Sequence, residues 1–317
     1  MTLDPGGATP LPQPLSDEDL DTLIEGGEAV SDGGFFRNMI RVFSENKLAI
    51  VSFFFLIFML LFCFLGPHLY VTNQTNAQEA LLNSTQNAHP SASHWLGTDE
   101  TGFDIVGRLM FGGQISLIVG FFAAIVATVV GVGYGALSGF FGGWLDALLM
   151  RFVDMGLSIP VLFLLIALVT IYRPTAPLLI VVIAAVSWLV PARLIRSETL
   201  SLRTREYVQA VRVMGGSRRR IIGRHIIPNS VGTIVVFATF CVADSILYLA
   251  ALGFLGLGVP APQTDWGTML SNGVNYAANG YWWEIYPVGF CIVFTVVALN
   301  YVGDALRDAL EVRLQRR

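Results

Sequence analysis

The sequence predicts an all-α integral membrane protein with six spanning helices. Of its 317 residues, 54% are apolar and only 13% are charged, whereas a soluble domain usually has about 25% charged residues. A helix needs roughly 20 apolar residues to cross a bilayer, and the strict alternation of a membrane barrel is absent. The predicted spans are residues 48–69, 112–140, 149–172, 176–196, 230–256 and 285–304.

The region before the second span is predicted to contain two different parts. Residues 1–36 hold eight acidic residues and no Lys or Arg, which is typical of a disordered tail. Residues 37–111 then comprise a short amphipathic helix on the membrane surface, the first span and a long polar external loop. The acidic tail is therefore expected on the same side of the membrane as the surface helix.

The distribution of Lys and Arg predicts the orientation of the spans. Alternate connecting segments hold all but two of the 19 basic residues, the exceptions being Arg108 and Arg173. Because basic residues are enriched in cytoplasmic loops, we expect both termini in the cytoplasm. The transmembrane domain is then residues 112–305, followed by a cytoplasmic tail at residues 306–317.

The second and third spans carry signals of helix packing. Gly131, Gly135 and Gly139 lie on one face of the second span, which allows another helix to approach closely. The third span is the weakest of the six, because Arg151 and Asp154 lie in its first turn. Their spacing predicts a local ion pair.

Several enzymatic functions are excluded by the residues that the chain lacks. Lys47 is its only lysine and is not preceded by the glycines of a P-loop. The run GFLGLG at residues 253–258 ends an apolar span and follows no strand, so it does not indicate a nucleotide site. There is no zinc-protease motif and no nucleophile elbow. The chain is predicted to be no enzyme and to bind no metal or cofactor of its own.

Asp244 is the most conspicuous charge inside a predicted span. Ionisable residues in a span usually face a water-filled path or a partner, and Ser245 lies beside it in the run FCVADSILYL. We interpret the two as candidates for lining a translocation path. A hydrogen-bonded carboxyl that only packs against its neighbours is the alternative.

The segment between the fourth and fifth spans holds nine arginines and a two-faced helix at residues 201–216. One face carries Tyr207, Val211 and Met214, and another carries Arg205, Gln209 and Arg212. Gly215 and Gly216 predict the end of this helix. The segment could enforce topology and meet anionic lipid, bind nucleic acid, or dock into a protein groove. No nucleic-acid-binding module supports the second option, and spacing does not decide between the other two.

The run QAVRVMGGSRRRIIGRHIIPN resembles the EAA motif of bacterial ABC importer permeases. Gln209, Ala210 and Val211 occupy the E-A-A places, while Gly215 and Pro228 fall at the expected offsets. Gln replaces Glu in the first place, although Glu206 lies one turn earlier. The motif departs further at the second Ala and at His225, where the family has Ile.

Two longer runs resemble the C-type permease of dipeptide and oligopeptide importers. They are HWLGTDETGFDIVGRLMFGGQISLIVG at residues 94–120 and ALGFLGLGVPAPQTDWGTMLSNG at residues 251–273. The ending NYVGDALRDAL at residues 300–310 also fits, whereas Phe103 stands where that family usually has Arg. The resemblance covers the chain from about residue 35 to its end.

This resemblance implies the type I ABC importer permease fold, with six spanning helices and a cytoplasmic coupling helix. It implies a bacterial inner-membrane complex with a second homologous permease, two ATPases that bind ATP and magnesium, and an extracytoplasmic peptide-binding protein. The residues expected to contact an ATPase are Glu206, Tyr207, Gln209, Ala210, Val211, Met214, Gly215, Gly216 and Pro228.

Other functions remain open at this point. The same architecture imports nickel chelates, glutathione or antimicrobial peptides in other systems. An ion-coupled carrier or channel that works alone, and a membrane scaffold without transport activity, are rivals from other classes. A carrier would transport without ATP, and a scaffold would have no ATPase partner.

Overall fold

The structure, a computed structural model, describes residues 46–83 and 86–315. The predicted acidic tail and most of the predicted membrane-surface helix lie outside the described residues. Regular structure in the described ranges is helical, apart from one isolated bridge between Thr98 and Asp104. The α-helices are α1 (Lys47–Phe64), α2 (Gly66–Leu69), α3 (Ala77–Asn83), α4 (Ile105–Phe141), α5 (Gly143–Ser158), α6 (Val161–Thr170), α7 (Ala176–Ser187), α8 (Leu189–Leu202), α9 (Glu206–Val213), α10 (Arg218–Ile221), α11 (Val231–Phe254), α12 (Trp266–Tyr276) and α13 (Tyr286–Gln315).

Four helical runs are long and apolar enough to cross a membrane by length and composition. Two further helix pairs, α5 with α6 and α7 with α8, pass the same test only when each pair is taken together. The described chain therefore has four candidate spans, or six if each bent pair forms one span. The four runs are Lys47–Phe64, Ile105–Phe141, Arg218–Phe254 and Trp282–Ala309.

Proline explains both of the broken spans. α5 and α6 meet at 86°, and Pro160 lies at this break, where proline disfavours helical backbone in the preceding Ile159. α7 and α8 meet at 42° around Trp188. Pro191 lies in the first turn of α8 and has no N–H to donate to the carbonyl four residues earlier, so the helix bends just before it.

The last helix is longer than the sequence pattern indicates. The last predicted span ends at residue 304, whereas α13 continues to Gln315. Residues 306–315 contain no Gly or Pro and are rich in Leu, Arg, Ala and Glu, which are strong helix formers. The predicted C-terminal tail therefore begins inside α13.

Helix α4 lies at the centre of the fold and packs against α7, α8 and α11. Its Val119 and Ala123 are completely buried in an apolar cluster. That cluster also contains Leu165, Val169, Leu179, Val182, Ile183, Val186, Leu249, Leu252 and Val259. The helices before and after the basic segment, α8 and α11, are thus both held by the same central helix.

Candidate functional site

The connection between α8 and α11, residues 203–230, is the first candidate site and is called the coupling segment below. Its helix α9 is held to the rest of the chain by Val208, which is 2% exposed and packs with Ile221 and Ile226. Phe140, Leu202, Val211 and Ile222 pack around these three residues. The apolar cluster joins both halves of the coupling segment to the end of α4.

The opposite side of α9 is open to solvent and carries most of the residues predicted to contact an ATPase. Glu206, Tyr207, Gln209, Ala210, Met214 and Gly215 are exposed, and Gly216 is half-buried. Val211 differs from the prediction, because it is half-buried against the chain's own apolar cluster. Val213, which the sequence pattern did not single out, is 87% exposed at the end of the same helix.

The turn after α9 depends on its two glycines for different reasons. Gly215 has a φ of +80°, and a Cβ added there would meet no atom within 4 Å. At Gly216 a Cβ would lie 2.6 Å from Cγ1 of Val211, and the N–H of Gly216 donates to the carbonyl of Val211 at 2.9 Å. The first glycine is therefore required by backbone conformation and the second by close packing.

A stretch of irregular helix separates this turn from α11. Ile222–Ile226 form a π-helical turn and Ile227–Ser230 a 3₁₀ turn. Pro228 lies in the first turn of the 3₁₀ helix and is exposed. The motif proline therefore shapes the entry into α11.

The three glycines of α4 pack against α8, as their spacing predicts. A Cβ at Gly135 would lie 2.3 Å from the carbonyl oxygen of Ala192, and a Cβ at Gly139 would lie 2.7 Å from that of Arg196. At Gly131 a Cβ would meet Pro191 at 2.7 Å. The backbones of α4 and α8 are thus in direct contact along more than two turns.

A buried ion pair joins α5 to α8 next to the coupling segment. Asp146 is 8% exposed and accepts hydrogen bonds from Nε and Nη2 of Arg196, both at 2.6 Å. The hydroxyl of Ser138 on α4 donates to the same carboxylate. Arg203, at the end of α8, donates to the carbonyl of Gly139 at 2.9 Å. Three helices therefore meet at one charged contact.

The predicted local ion pair in the third span is wrong. Asp154 forms an ion pair with Arg193 of α8 and not with Arg151 three residues earlier. The spacing on α5 permits the local pair, but the close approach of α8 brings a better-placed guanidinium. This second contact again joins α5 to α8.

The loops at the N-terminal end of α4 form a separate polar cluster. Asp99 accepts hydrogen bonds from the N–H of Phe103 at 2.8 Å and of Thr101 at 2.9 Å. Its other oxygen lies 3.3 Å from Nε of Arg108, whose guanidinium also donates to the carbonyl of Pro262. Arg108 lies 4.1 Å from the ring centroid of the buried Phe103. Phe103, which departs from the family pattern, thus packs its ring against the guanidinium of Arg108.

Asp104 begins α4 and holds the long loop before it. Its carboxylate accepts hydrogen bonds from the N–H of Gly107 and from the hydroxyl of Tyr70. The same carboxylate lies 2.9 Å from Nδ1 of His94. Burial, followed by the charge of Asp104, raises the pKa of Tyr70 to about 12. Tyr70, His94 and Asp104 line an open cavity of about 250 Å³ together with Glu79. Within the described residues no group of three or more His, Cys, Asp or Glu is placed to hold a metal ion.

The run GFLGLG has a packing role next to Asp265. A Cβ at Gly253 would lie 2.2 Å from the Asp265 carboxylate, and a Cβ at Gly258 would lie 2.3 Å from it. Asp265 caps α12 by accepting from the N–H and hydroxyl of Thr268, and it accepts a further bond from the N–H of Val259. Burial raises the pKa of Asp265. The glycines make room for this capping carboxylate.

The two predicted path residues lie on different sides of α11. Asp244 is exposed and forms no hydrogen bond or ion pair with the described part of the chain, while Leu247 on the same face is also exposed. Ser245 is completely buried, and its hydroxyl faces the interior of the chain. Asp244 is accessible from outside the chain in this structure, whereas the prediction that Ser245 lines a path is not supported.

Comparison with known families accounts for this arrangement. Residues 131–316 match the family described as binding-protein-dependent transport system inner membrane component. The chain belongs to this family. Residues 34–90 match a second family, the N-terminal transmembrane domain of oligopeptide transport permease C. The first match contains the coupling segment and Asp244, so both candidate sites lie within the part shared with other binding-protein-dependent transport components.

Named relatives of the family are similar over nearly the full chain. The dipeptide transport system permease protein DppC of Bacillus subtilis is 36% identical over 87% of this chain and 85% of its own length. The oligopeptide transport system permease protein OppC of Escherichia coli K12 is 39% identical over 94% of this chain and 98% of its own. OppC of Haemophilus influenzae is 34% identical over 94% of this chain and 97% of its own.

A solved structure shows a similar fold. It is described as an inward-facing conformation of the MetNI methionine ABC transporter, with a TM-score of 0.54 and 21% sequence identity. The similarity covers 64% of this chain and 96% of the other. The fold is therefore that of an ABC importer permease, as the sequence predicts.

Proposed function

We propose that the chain is the permease subunit of an ATP-driven importer of dipeptides or oligopeptides and forms half of the translocation path. The observation that carries this proposal is the similarity to DppC and OppC relatives over at least 87% of the chain. It favours peptides over nickel chelates, glutathione or antimicrobial peptides. The chain contributes no hydrolytic chemistry of its own.

The partners follow from the same assignment. A second, homologous permease completes the path, two ATPases that bind ATP and magnesium lie in the cytoplasm, and an extracytoplasmic binding protein delivers the peptide. The family supports a position in the bacterial inner membrane, and the distribution of Lys and Arg supports both termini in the cytoplasm. The coupling segment then lies on the ATPase side.

The exposed side of α9 is the surface that we assign to the ATPase. Tyr207, Ala210 and Met214 are open there while Val208 holds the helix from behind, which is the arrangement of a helix presented to a groove. The close contacts of α8 with α4 and α5 make this helix part of a rigid unit. Closure of the ATPases would therefore move the spans as rigid bodies and open the path alternately to the two sides of the membrane.

Asp244 is the residue that we assign to the path. An exposed carboxylate on a spanning helix is costly in lipid, so its surroundings in the complex are expected to be water or the second permease. A carboxylate in a water-filled path attracts cations, including the protonated N-terminus of a peptide. Ser245 is not part of this proposal because it is buried.

The test is uptake of a labelled dipeptide by vesicles that contain the chain with its co-expressed subunits, with and without ATP. We expect ATP-dependent uptake, with a several-fold loss in Asp244→Asn at unchanged assembly. Leu247→Ala, on the same exposed face, is the control and should retain uptake. ATP-independent transport by the chain alone would refute the importer assignment, and unchanged uptake by Asp244→Asn would refute the path assignment.

A further inference from the structure

Four arginines follow α9 but do not lie on its exposed docking side. Arg218, Arg219 and Arg220 are in α10 and Arg224 is in the π-helical turn after it, and all four are exposed. None of them forms an ion pair with a carboxylate whose side chain the structure describes. Four exposed guanidinium groups within seven residues make a strong local positive field, which an anionic partner would stabilise.

Aromatic side chains place this group of arginines near the membrane interface. The guanidinium carbon of Arg218 lies 5.2 Å from the ring centroid of Phe141, at the end of α4. Trp144, three residues later, is 77% exposed and begins an exposed apolar row on α5 that includes Leu148, Phe152 and Met155. Because tryptophan concentrates at the headgroup level of membranes, the row marks the hydrocarbon side and Trp144 marks its edge.

The length of α11 also places these arginines near the headgroup layer of the membrane. An α-helix rises 1.5 Å per residue, and the bilayer with its headgroups is about 40–45 Å thick. The 24 residues of α11 account for about 36 Å, and the 3₁₀ turn before it rises about 2.0 Å per residue, so that thickness counted back from Phe254 reaches roughly residues 226–229. Arg224 would lie at the surface of the headgroup layer, and α10 begins within a Debye length of it, about 8–10 Å.

We propose that Arg218, Arg219, Arg220 and Arg224 bind the phosphate groups of anionic phospholipids in the cytoplasmic leaflet. The guanidinium fork pairs with two phosphate oxygens at once, and basic clusters directly next to a span bind anionic lipid. The proposal rests on the membrane orientation given under the proposed function. Lipid binding by these arginines would hold the second half of the coupling segment at the membrane, while the exposed side of α9 remains accessible to the ATPase.

Reconstitution of the full-length chain with its co-purified subunits tests this proposal. Nanodiscs are made of phosphatidylcholine alone or of an equal mixture with phosphatidylglycerol, and lipid retained on the protein is counted by native mass spectrometry. Each basic residue near an anionic surface contributes roughly a five-fold preference. We expect the variant Arg218→Gln/Arg219→Gln/Arg220→Gln to lose phosphatidylglycerol preference by roughly ten- to a hundred-fold.

Two control variants separate lipid binding from general charge. Replacing the same three arginines with lysine should keep most of the preference, because the charge remains. Arg205→Gln/Arg212→Gln removes two exposed charges from the neighbourhood of α9 and should leave the preference unchanged. The preference of the wild-type chain should weaken at high salt.

Three results would overturn the proposal. The first is equal retention of both lipids by the wild-type chain, and the second is an unchanged preference in the glutamine variant. The third is loss of the ATPase subunits by that variant in detergent free of anionic lipid, which would show that the arginines bind a protein. Lipid retention and ATPase retention are both measured without peptide uptake. The lipid site can therefore be confirmed if the importer assignment fails, and the importer assignment can be confirmed if the lipid site fails.

Discussion

Replacing Gly215 with alanine should weaken coupling without disturbing the spans. Gly215 has a φ of +80°, and its added Cβ would meet no atom within 4 Å, so Gly215→Ala introduces backbone strain but no clash. A left-handed backbone costs a residue other than glycine roughly 1–2 kcal/mol. This corresponds to about a 5- to 30-fold shift in a two-state equilibrium. We expect the exposed turn to rearrange, because this requires no disruption of the buried contacts around Val208.

The assay compares ATPase retention with ATP-dependent uptake of a labelled dipeptide in membranes that contain equal amounts of each variant. Gly215→Ala should lower retention of the ATPases by up to about 5- to 30-fold, with uptake falling in parallel. Gly215→Asn should be milder, because asparagine tolerates left-handed backbone, and Gly215→Val should be more severe. Insertion of all three variants should match the wild-type chain.

Gly223 supplies a matched control for the methyl group itself. It is exposed in the same segment, a Cβ there also meets no atom within 4 Å, and its φ is not left-handed. Gly223→Ala should therefore retain wild-type coupling. Equal losses in Gly223→Ala and Gly215→Ala, or wild-type uptake by Gly215→Ala, would refute the requirement for positive φ.

Two further predictions concern the charged contacts. Asp146→Asn should lower the free energy of unfolding by about 2 kcal/mol, below the roughly 3–5 kcal/mol of a fully buried pair, because the Arg196 side chain is 32% exposed. A lower thermal midpoint would show this, and Asp146→Asn should add little in an Arg196→Gln background. Burial, followed by the charge of Asp99, raises the pKa of Glu100. The carboxyl of Glu100 therefore makes its full contribution to stability at acidic pH, and this contribution is lost as the pH rises through the raised pKa. Glu100→Gln should then flatten the dependence of the thermal midpoint on pH above about 4.3. An unchanged pH profile would contradict this.

Spacing along one helix proved a good guide to contacts between backbones. Gly131, Gly135 and Gly139 repeat every four residues, which predicts that another helix approaches this face, and α8 does so. The end of α9 was also predictable, since glycine readily takes the left-handed backbone that ends a helix, as Gly215 does here. Such features depend on the chain's local conformation or on one helix face, which a sequence displays directly.

Contacts between side chains from different helices could not be predicted in the same way. Asp154 pairs with Arg193, which lies 39 residues away, because the approach of α8 decides which guanidinium is nearest. Val208 is buried by Ile221 and Ile226, which the turn after α9 brings back against the helix. A helical wheel separates faces, but it does not tell which face another helix will cover.

The glycine contacts also define a physical route between the two candidate sites. α9 follows α8, and α8 lies against α4 through Gly135 and Gly139. Nearer the N-terminus of α4, a Cβ at Gly120 would lie 2.5 Å from Cγ1 of Ile246. Ile246 lies two residues after Asp244 on α11. Because tightly packed helices transmit displacement and do not compress, a movement imposed on α9 would reach the segment that carries Asp244 through two close contacts between helices. A larger residue at either contact would separate the helices and should weaken coupling between ATP hydrolysis and transport before it affects binding at either end.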